Sequence, residues 1–161
     1  MAPPPDVELR AAQDQDSAGV IDLITTIFGE YPNCYMDVEN EEQKLLSPAS
    51  SYDGFWVLDR GGEIVGCIAC SFDLASQHFE LQKLYVNADL RKGGWGRRMV
   101  RVVERRAREL QVHDIELWTD TRFETAHRFY EGLGYRRTGR IRELNDISHT
   151  VEYHFVREMR Y

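Results

Sequence analysis

The sequence predicts a single α/β domain, a mixed sheet covered by helices. Three observations carry that prediction. Helix-like and strand-like segments follow one another in the order βααββ–βαβα–ββ, the pattern of a layered α/β fold. Two apolar runs flank Gly61-Gly62, which is a hairpin signature. No repeat or linker interrupts the 161 residues, a length ordinary for one core. Residues 1–5, MAPPP, read as a disordered lead, and residues 6–161 as the folded unit.

Each element has its own reason. VELRAA (7–12) reads as a short strand. In DSAGVIDLITTIF, Asp16 or Ser17 supplies an N-cap, and Val20, Ile21, Ile24, Ile27 and Phe28 recur at helical spacing. The acidic stretch YPNCYMDVENEEQKLLSP predicts a short helix over 40–46 that Pro48 stops. FWVLDRGGEIVGCIACSFD is the hairpin, and HFELQKLYVNADL is a further alternating strand. A helix then runs to about Leu110, with Trp95, Met99, Val102, Val103, Ala107 and Leu110 as its buried stripe. DIELWTD is a buried strand, and ETAHRFYEGLGY is a helix closed by Gly132 or Gly134. YRRTGRI and TVEYHFVRE supply the last two strands.

Composition narrows the function. No apolar run approaches the roughly 20 residues that span a bilayer, and the start lacks the basic and apolar regions of a secretory signal. A cytoplasmic protein without a membrane partner is therefore expected. Cys34, Cys67 and Cys70 are too few for a disulfide framework. Cys67 and Cys70 stand three apart on a strand and so point to opposite faces, which is wrong for a shared metal or a redox pair. The five histidines show no ligand spacing, so no metal is expected.

The net charge of −7 hides an asymmetry. Residues 1–80 hold 15 acidic and 3 basic side chains, and residues 81–161 hold 12 acidic and 17 basic. An acidic total argues against general nucleic-acid binding, which draws its affinity from phosphate neutralisation. Opposite halves fit two ligands of opposite sign, although solvated surface charge gives the same numbers.

The stretch NADLRKGGWGRRMV sets glycines in front of a basic helix. Helix N-termini expose unpaired N–H groups that bind anions. Gly93, Gly94 and Gly96 remove Cβ atoms that would keep a phosphate from those donors. Between Asp89 and Leu110 there are eight Arg or Lys and three acids. This reads as a pyrophosphate cradle. The P-loop string is absent. A dinucleotide fingerprint is matched by Gly94 and Gly96 but has Met99 at its third glycine, with Glu116 about 20 residues on. A structural turn before a solvated basic helix is the plain alternative.

Arg91-Lys92-Gly93-Gly94-Trp95-Gly96 satisfies [QR]-x-x-G-x-[GA]. It directly follows a strand ending LYV, and a later helix reads AHRFYEGLGY. Together these residues resemble the GNAT superfamily of acyl-CoA-dependent N-acetyltransferases over nearly the whole chain. One departure is Lys92 before a glycine pair, where relatives often carry Arg-Gly-x-Gly. The resemblance implies a GNAT-like mixed, mostly antiparallel twisted sheet of six to seven strands flanked by about four helices. It implies acetyl-CoA as co-substrate, with the backbone of Leu84, Tyr85 and Val86 pairing with the pantetheine arm. Backbone N–H groups of Lys92, Gly93, Gly94, Trp95, Gly96 and Arg97 would hold the pyrophosphate, with Arg91 opening the motif.

Acyl transfer to an amine must remove protons from the amine and return one to the thiolate, the work of general bases and acids. Developing oxyanion charge needs a donor, which a strand N–H near the thioester can supply. By resemblance, Tyr130 is the general acid and Glu80 the general base, a water chain being the other option for the base. Gln82 shares Glu80's strand face and would orient a water or substrate. His127, one turn before Tyr130, would line the same cleft. The acidic half, including Glu30, Asp37, Glu39, Glu41 and Glu42, fits a small cationic amine acceptor. Tyr31, Tyr35, Tyr52, Phe55 and Trp56 would wall it by cation–π contact, with core packing the alternative for Phe55 and Trp56. An acetyltransferase for protein N-termini or lysines and a non-catalytic acyl-CoA sensor are the competing readings. Members of the superfamily are often dimers, and a homodimer is the assembly this analogy implies.

Overall fold

The structure, a computed structural model, describes residues 6–161; the disordered lead expected over residues 1–5 lies outside them. Seven strands form one sheet: β1 (Val7–Ala11), β2 (Gly54–Arg60), β3 (Glu63–Asp73), β4 (His78–Val86), β5 (Asp114–Asp120), β6 (Arg136–Glu143) and β7 (Val151–Glu158). Their spatial order is β1-β2-β3-β4-β5-β7-β6. Every neighbouring pair is antiparallel except β4–β5. Four helices accompany them: α1 (Ser17–Phe28), α2 (Pro48–Ser51), α3 (Trp95–Glu109) and α4 (Glu124–Gly132). The expected mixed, mostly antiparallel architecture is what forms.

The β2–β3 turn places Gly61 and Gly62 at φ of 60° and 95°, backbone that glycine adopts without a Cβ penalty. Pro48 does not stop a helix. It opens α2, where its fixed φ fits and its missing N–H has no helical partner to lose. The helix expected over 40–46 shrinks to a 3-10 turn at Gln43–Leu46. Asp16 occupies the N-cap position of α1 but makes no cap bond to it. Its carboxylate accepts instead from Arg10 and from the Gln13 amide.

The sheet separates two cores. On one face α3 lays Met99, Val100, Val103 and Ala107 against Ile68, Phe79, Leu81, Ile115, Leu117 and Phe155. Leu110, expected in that stripe, is 38% exposed because the helix ends at Glu109 and Leu110 caps it. On the other face α1 packs Val20, Leu23, Ile24 and Ile27 against Phe55, Val57, Cys67 and Ala69. Cys67 and Cys70 fall in opposite cores, and burial pushes both thiols up to about 12, far from thiolate chemistry.

The feature that makes a site is a split in the sheet. β4 and β5 share a single register pair, Glu80 opposite Glu116. Beyond it, residues 81–86 of β4 pair only with β3, across a bulge opposite Cys67 and Ala69. Lys83 takes φ 57° there. A bulge bends its strand and increases local twist, so one edge of β4 is left without a strand partner.

Candidate active site

Leu84, Tyr85 and Val86 lie on this open stretch of β4 and are half-buried. An unpaired strand edge is a template for an extended ligand. The Val86 carbonyl is already engaged, accepting from Arg91 Nε at 3.0 Å. The same guanidinium grips Glu30 with two bonds of 2.7 and 2.9 Å. Arg91 therefore ties the end of β4 to the end of α1, and its charge is met by a carboxylate of this chain.

The loop after β4 turns into α3 through Lys92 at φ 67° and Gly94 at φ 84°. The Gly93 amide is spent on the Leu90 carbonyl at 3.3 Å. The first helical return is Arg98 N to Gly94 O, so the amides of Gly94, Trp95, Gly96 and Arg97 stand ahead of the hydrogen-bonded turns. The three glycines do different things. Gly94 supplies the left-handed backbone. A Cβ on Gly93 would meet the Leu90 carbonyl at 3.2 Å, and one on Gly96 would meet the Phe129 ring at 3.2 Å. The missing Cβ of Gly96 thus also lets the Phe129 ring of α4 approach α3 closely. Four exposed arginines, Arg97, Arg101, Arg105 and Arg108, continue along one side of α3. They line a groove of about 540 Å³ that joins a second of about 640 Å³ beside Arg136, Arg157 and Arg160.

Tyr130 comes from α4 and is 5% exposed, its ring among Phe129, Tyr135 and Phe155. Burial alone raises its phenol above the ordinary value, which keeps the proton on the oxygen at neutral pH. His127 does not face a cleft. Its ring is buried against Phe155, and Nε2 lies 2.9 Å from the Asp120 carbonyl, fastening α4 to the end of β5.

Glu80 lies on the sheet face toward α1, as does Gln82, whose Oε1 accepts from Ser71 Oγ at 2.9 Å. This face carries no helix over β5, β7 and β6, and a polar layer covers it. Trp118 of β5 is overlain by Arg140 and Arg142, at 5.1 and 4.3 Å from the ring centroid. Arg142 also bonds Glu152 at 2.7 Å. Burial raises the Glu152 carboxyl above its usual range, with Arg142 opposing.

The acids of the α1–α2 connection do not form the expected lining. Glu30 holds Arg91, Glu42 holds Lys83 at 2.8 Å, Glu41 accepts from the Ile147 amide, and Asp37 accepts from Asn40. Tyr35 and Ser148 exchange bonds, N to Oγ at 2.8 Å and Oγ to O at 3.2 Å. This connection is thereby sewn to the β6–β7 loop. Among the aromatics, Tyr52 and Phe55 are core, and Lys44 covers Tyr52 at 4.2 Å. Trp56 packs against the α3-side core. Only Tyr31 reaches the split, where it meets Phe123 at 4.8 Å, and Phe123 meets Phe28 and Tyr85 at 6.4 Å each. Phe123 has no distinguishing signal in the sequence, and the helical spacing of Phe28 and the strand position of Tyr85 do not show that the three rings meet. They meet only because β4 and β5 part beside the end of α1.

Comparison with known proteins agrees with this geometry. A 111-residue stretch is 27% identical to mouse "Probable N-acetyltransferase family 8 member 5", covering 66% of this chain and 49% of that protein. A 129-residue stretch is 33% identical to an amino-acid acetyltransferase of Pseudomonas syringae pv. syringae, covering 76% of this chain and 26% of that one. The chain thus spans half or less of the length of these curated relatives. Among solved structures, a GNAT-family acetyltransferase from Staphylococcus aureus Mu50 superposes with a TM-score of 0.81 at 19% identity, over 96% of this chain and 100% of that one. The PaiA N-acetyltransferase of Thermoplasma acidophilum, solved with coenzyme A, gives 0.72 at 14% identity, over 96% and 99%. The model of the acetyltransferase (GNAT) family matches residues 19–135. On a match of that extent, this chain belongs to the acetyltransferase (GNAT) family.

Proposed function

We propose that the protein is an acyl-CoA-dependent N-acetyltransferase whose acceptor is a small cationic amine. The observation that carries this is the split between β4 and β5. Beside it stand an unpaired strand edge and four helix-start amides, and on the sheet face toward α1 stands Glu80, which no arginine or lysine pairs among the described residues. The residues present fit acetyl-CoA. Leu84 and Tyr85 offer backbone groups to the pantetheine arm, and the amides of Gly94, Trp95, Gly96 and Arg97 face the pyrophosphate. Lys92, Arg97 and Arg101 add charge for the phosphates. Acetyl-CoA supplies a thioester carbonyl open to attack. Tyr130, kept protonated by burial, gives its proton to the leaving sulfur, and Glu80 draws the proton from the amine.

Charge supports the acceptor class. Neither Glu80 nor Glu116 pairs with an arginine or lysine among the described residues, so an ammonium finds uncompensated carboxylates on the sheet itself. The link between the α1–α2 connection and the β6–β7 loop narrows the approach, which favours a small amine over a protein chain. The test is release of free thiol from acetyl-CoA with spermidine, tyramine, lysine and glutamate as acceptors, alongside calorimetric binding of acetyl-CoA. Tyr130→Phe is expected to lower kcat about 10- to 100-fold and leave the acetyl-CoA Kd within twofold. Binding without turnover of any amine would favour the sensor reading, and full activity in Tyr130→Phe would remove the tyrosine from the chemistry.

A further inference from the structure

Beside Glu80 lies a group that the roles above leave unused. Glu116 of β5, 15% exposed in its side chain, stands between two imidazoles. His78 Nε2 is 3.0 Å from its Oε1, and His154 Nε2 is 3.7 Å from the same oxygen. His154, on β7, is 4% exposed and sits 4.6 Å from the Trp118 ring. Its Nδ1 is satisfied by Thr138 Oγ1 at 2.8 Å, but its Nε2 is buried without a hydrogen-bond partner. Buried polar atoms are rarely left this way. The Thr138 hydroxyl also donates to the His154 carbonyl at 3.4 Å. When the hydroxyl donates to that carbonyl, Nδ1 carries the ring proton and Nε2 turns its lone pair toward Glu116. One added proton completes that contact.

We propose that Glu116 and His154 are the proton-accepting station of the active site, taking the proton that Glu80 removes from the acceptor amine and passing it through His78 to solvent. The inference rests on the acetyltransferase reading, and the proton count requires such a station. An ammonium that becomes an amide loses two protons as the N–C bond forms and the C–S bond breaks. One ends on the departing thiol, through Tyr130, and one must leave the protein. Glu80 and Glu116 form the one register pair between β4 and β5, and His78, 47% exposed in its side chain, opens to water. The charged groups that face His154 are Glu116 from β5, Glu80 from β4 and Arg140 from β6. Burial lowers the imidazole's pKa and Arg140 lowers it further, while the two carboxylates raise it. The resting imidazole is thus neutral and able to accept.

The test reads the histidine rings directly, by two-bond ¹H–¹⁵N correlation on the uniformly labelled full chain between pH 4.5 and 8. His154 is expected to hold its proton on Nδ1 at pH 8 and to gain one on Nε2 as pH falls. Glu116→Gln lowers that midpoint by about one pH unit, a tenfold loss of proton affinity, and Glu80→Gln lowers it less. Spermidine at millimolar concentration shifts the midpoint the same way in the wild type and not in Glu80→Gln. In turnover, His154→Gln moves the acidic limb of the kcat/KM profile while the acetyl-CoA Kd stays unchanged. A His154 ring that carries its proton on Nε2 at pH 8, or a midpoint blind to Glu116→Gln, overturns the station. Failure of the wild type to bind acetyl-CoA overturns the acetyltransferase reading instead, and the ring titration separates the two.

Discussion

Two charged regions of this molecule look alike in the sequence and behave differently in the fold. The connection after α1 carries Glu30, Asp37, Glu39, Glu41 and Glu42, and α3 carries Arg97, Arg98, Arg101, Arg105, Arg106 and Arg108. Four of the five acids find a partner elsewhere in the chain. Among the described residues, only Arg106 of the six arginines has an acid within reach, Glu109 at 3.9 Å, and Arg98 lies over the Trp95 ring at 4.1 Å. The acids are spent on holding loops, whereas the arginines remain available to a ligand. Segment charge alone therefore misleads: Arg91 and Lys83 neutralise two of these acids, amides engage two more, and what counts is which charges the fold has already taken up.

The sharpest contrast concerns the one acid buried among the arginines. Glu104 of α3 is 5% exposed, and it takes Arg157 and the Tyr135 hydroxyl on a single carboxylate oxygen. Removing one partner of a buried pair strands the other charge, so Glu104→Ala is expected to cost about 3 kcal/mol in urea unfolding. Glu39→Ala, in the acidic connection and exposed, is expected to change stability by no more than about 0.5 kcal/mol. Equal losses would mean that burial does not distinguish the two regions.

The next contrast tests the bridge between them. Arg91 and Glu30 are each about one-third exposed in their side chains, so their two-bond pair is worth about 1 kcal/mol at most. A double-mutant cycle on Arg91→Ala and Glu30→Ala should return a coupling of that size. Both single variants should weaken acetyl-CoA binding equally, a few-fold, because both release the end of β4. Should Arg91→Ala weaken it far more than Glu30→Ala, the guanidinium contacts the phosphates itself and the clamp is secondary.

How much of this was legible follows from the range of the interactions. The hairpin, the Gly94 turn and the helical periods of α1 and α3 are local, and their residues announce them. A proline serves a helix stop and a helix start with the same fixed φ, so the local residues do not say that Pro48 opens α2. The pairing of Glu42 with Lys83 spans 41 residues and leaves no periodic trace. Gly96 reads in the sequence as phosphate access, and the fold adds the Phe129 ring of α4 against its missing Cβ. Helical spacing sets His127 one turn before Tyr130 but cannot tell the inner side of α4 from the outer. Glu116, His78 and His154 converge from three strands, and only the register of β4, β5 and β7 brings them together.

The smallest effect separates charge from hydrogen bonding within the acidic half. Arg10 donates two bonds of 2.9 Å to Asp16, which also accepts from the Gln13 amide at 2.7 Å. The Arg10 guanidinium, more than any other group, holds the Asp16 carboxyl below its usual range. A depressed carboxylate pKa stabilises the fold above the unfolded value near 3.8, and that contribution is lost as pH falls through the folded value. Asp16→Asn keeps an acceptor for the Gln13 amide and loses the charge. It is expected to cost about 0.5 kcal/mol at pH 7, with the two proteins converging in urea midpoint as pH falls below 3.8 and through the folded value. A difference that did not shrink at any pH below 3.8 would assign the stabilisation to the hydrogen bonds and not to the ion pair. The acids of this half would then be shaping loops by geometry alone, and the contrast with the unpaired arginines of α3 would concern bond partners rather than charge.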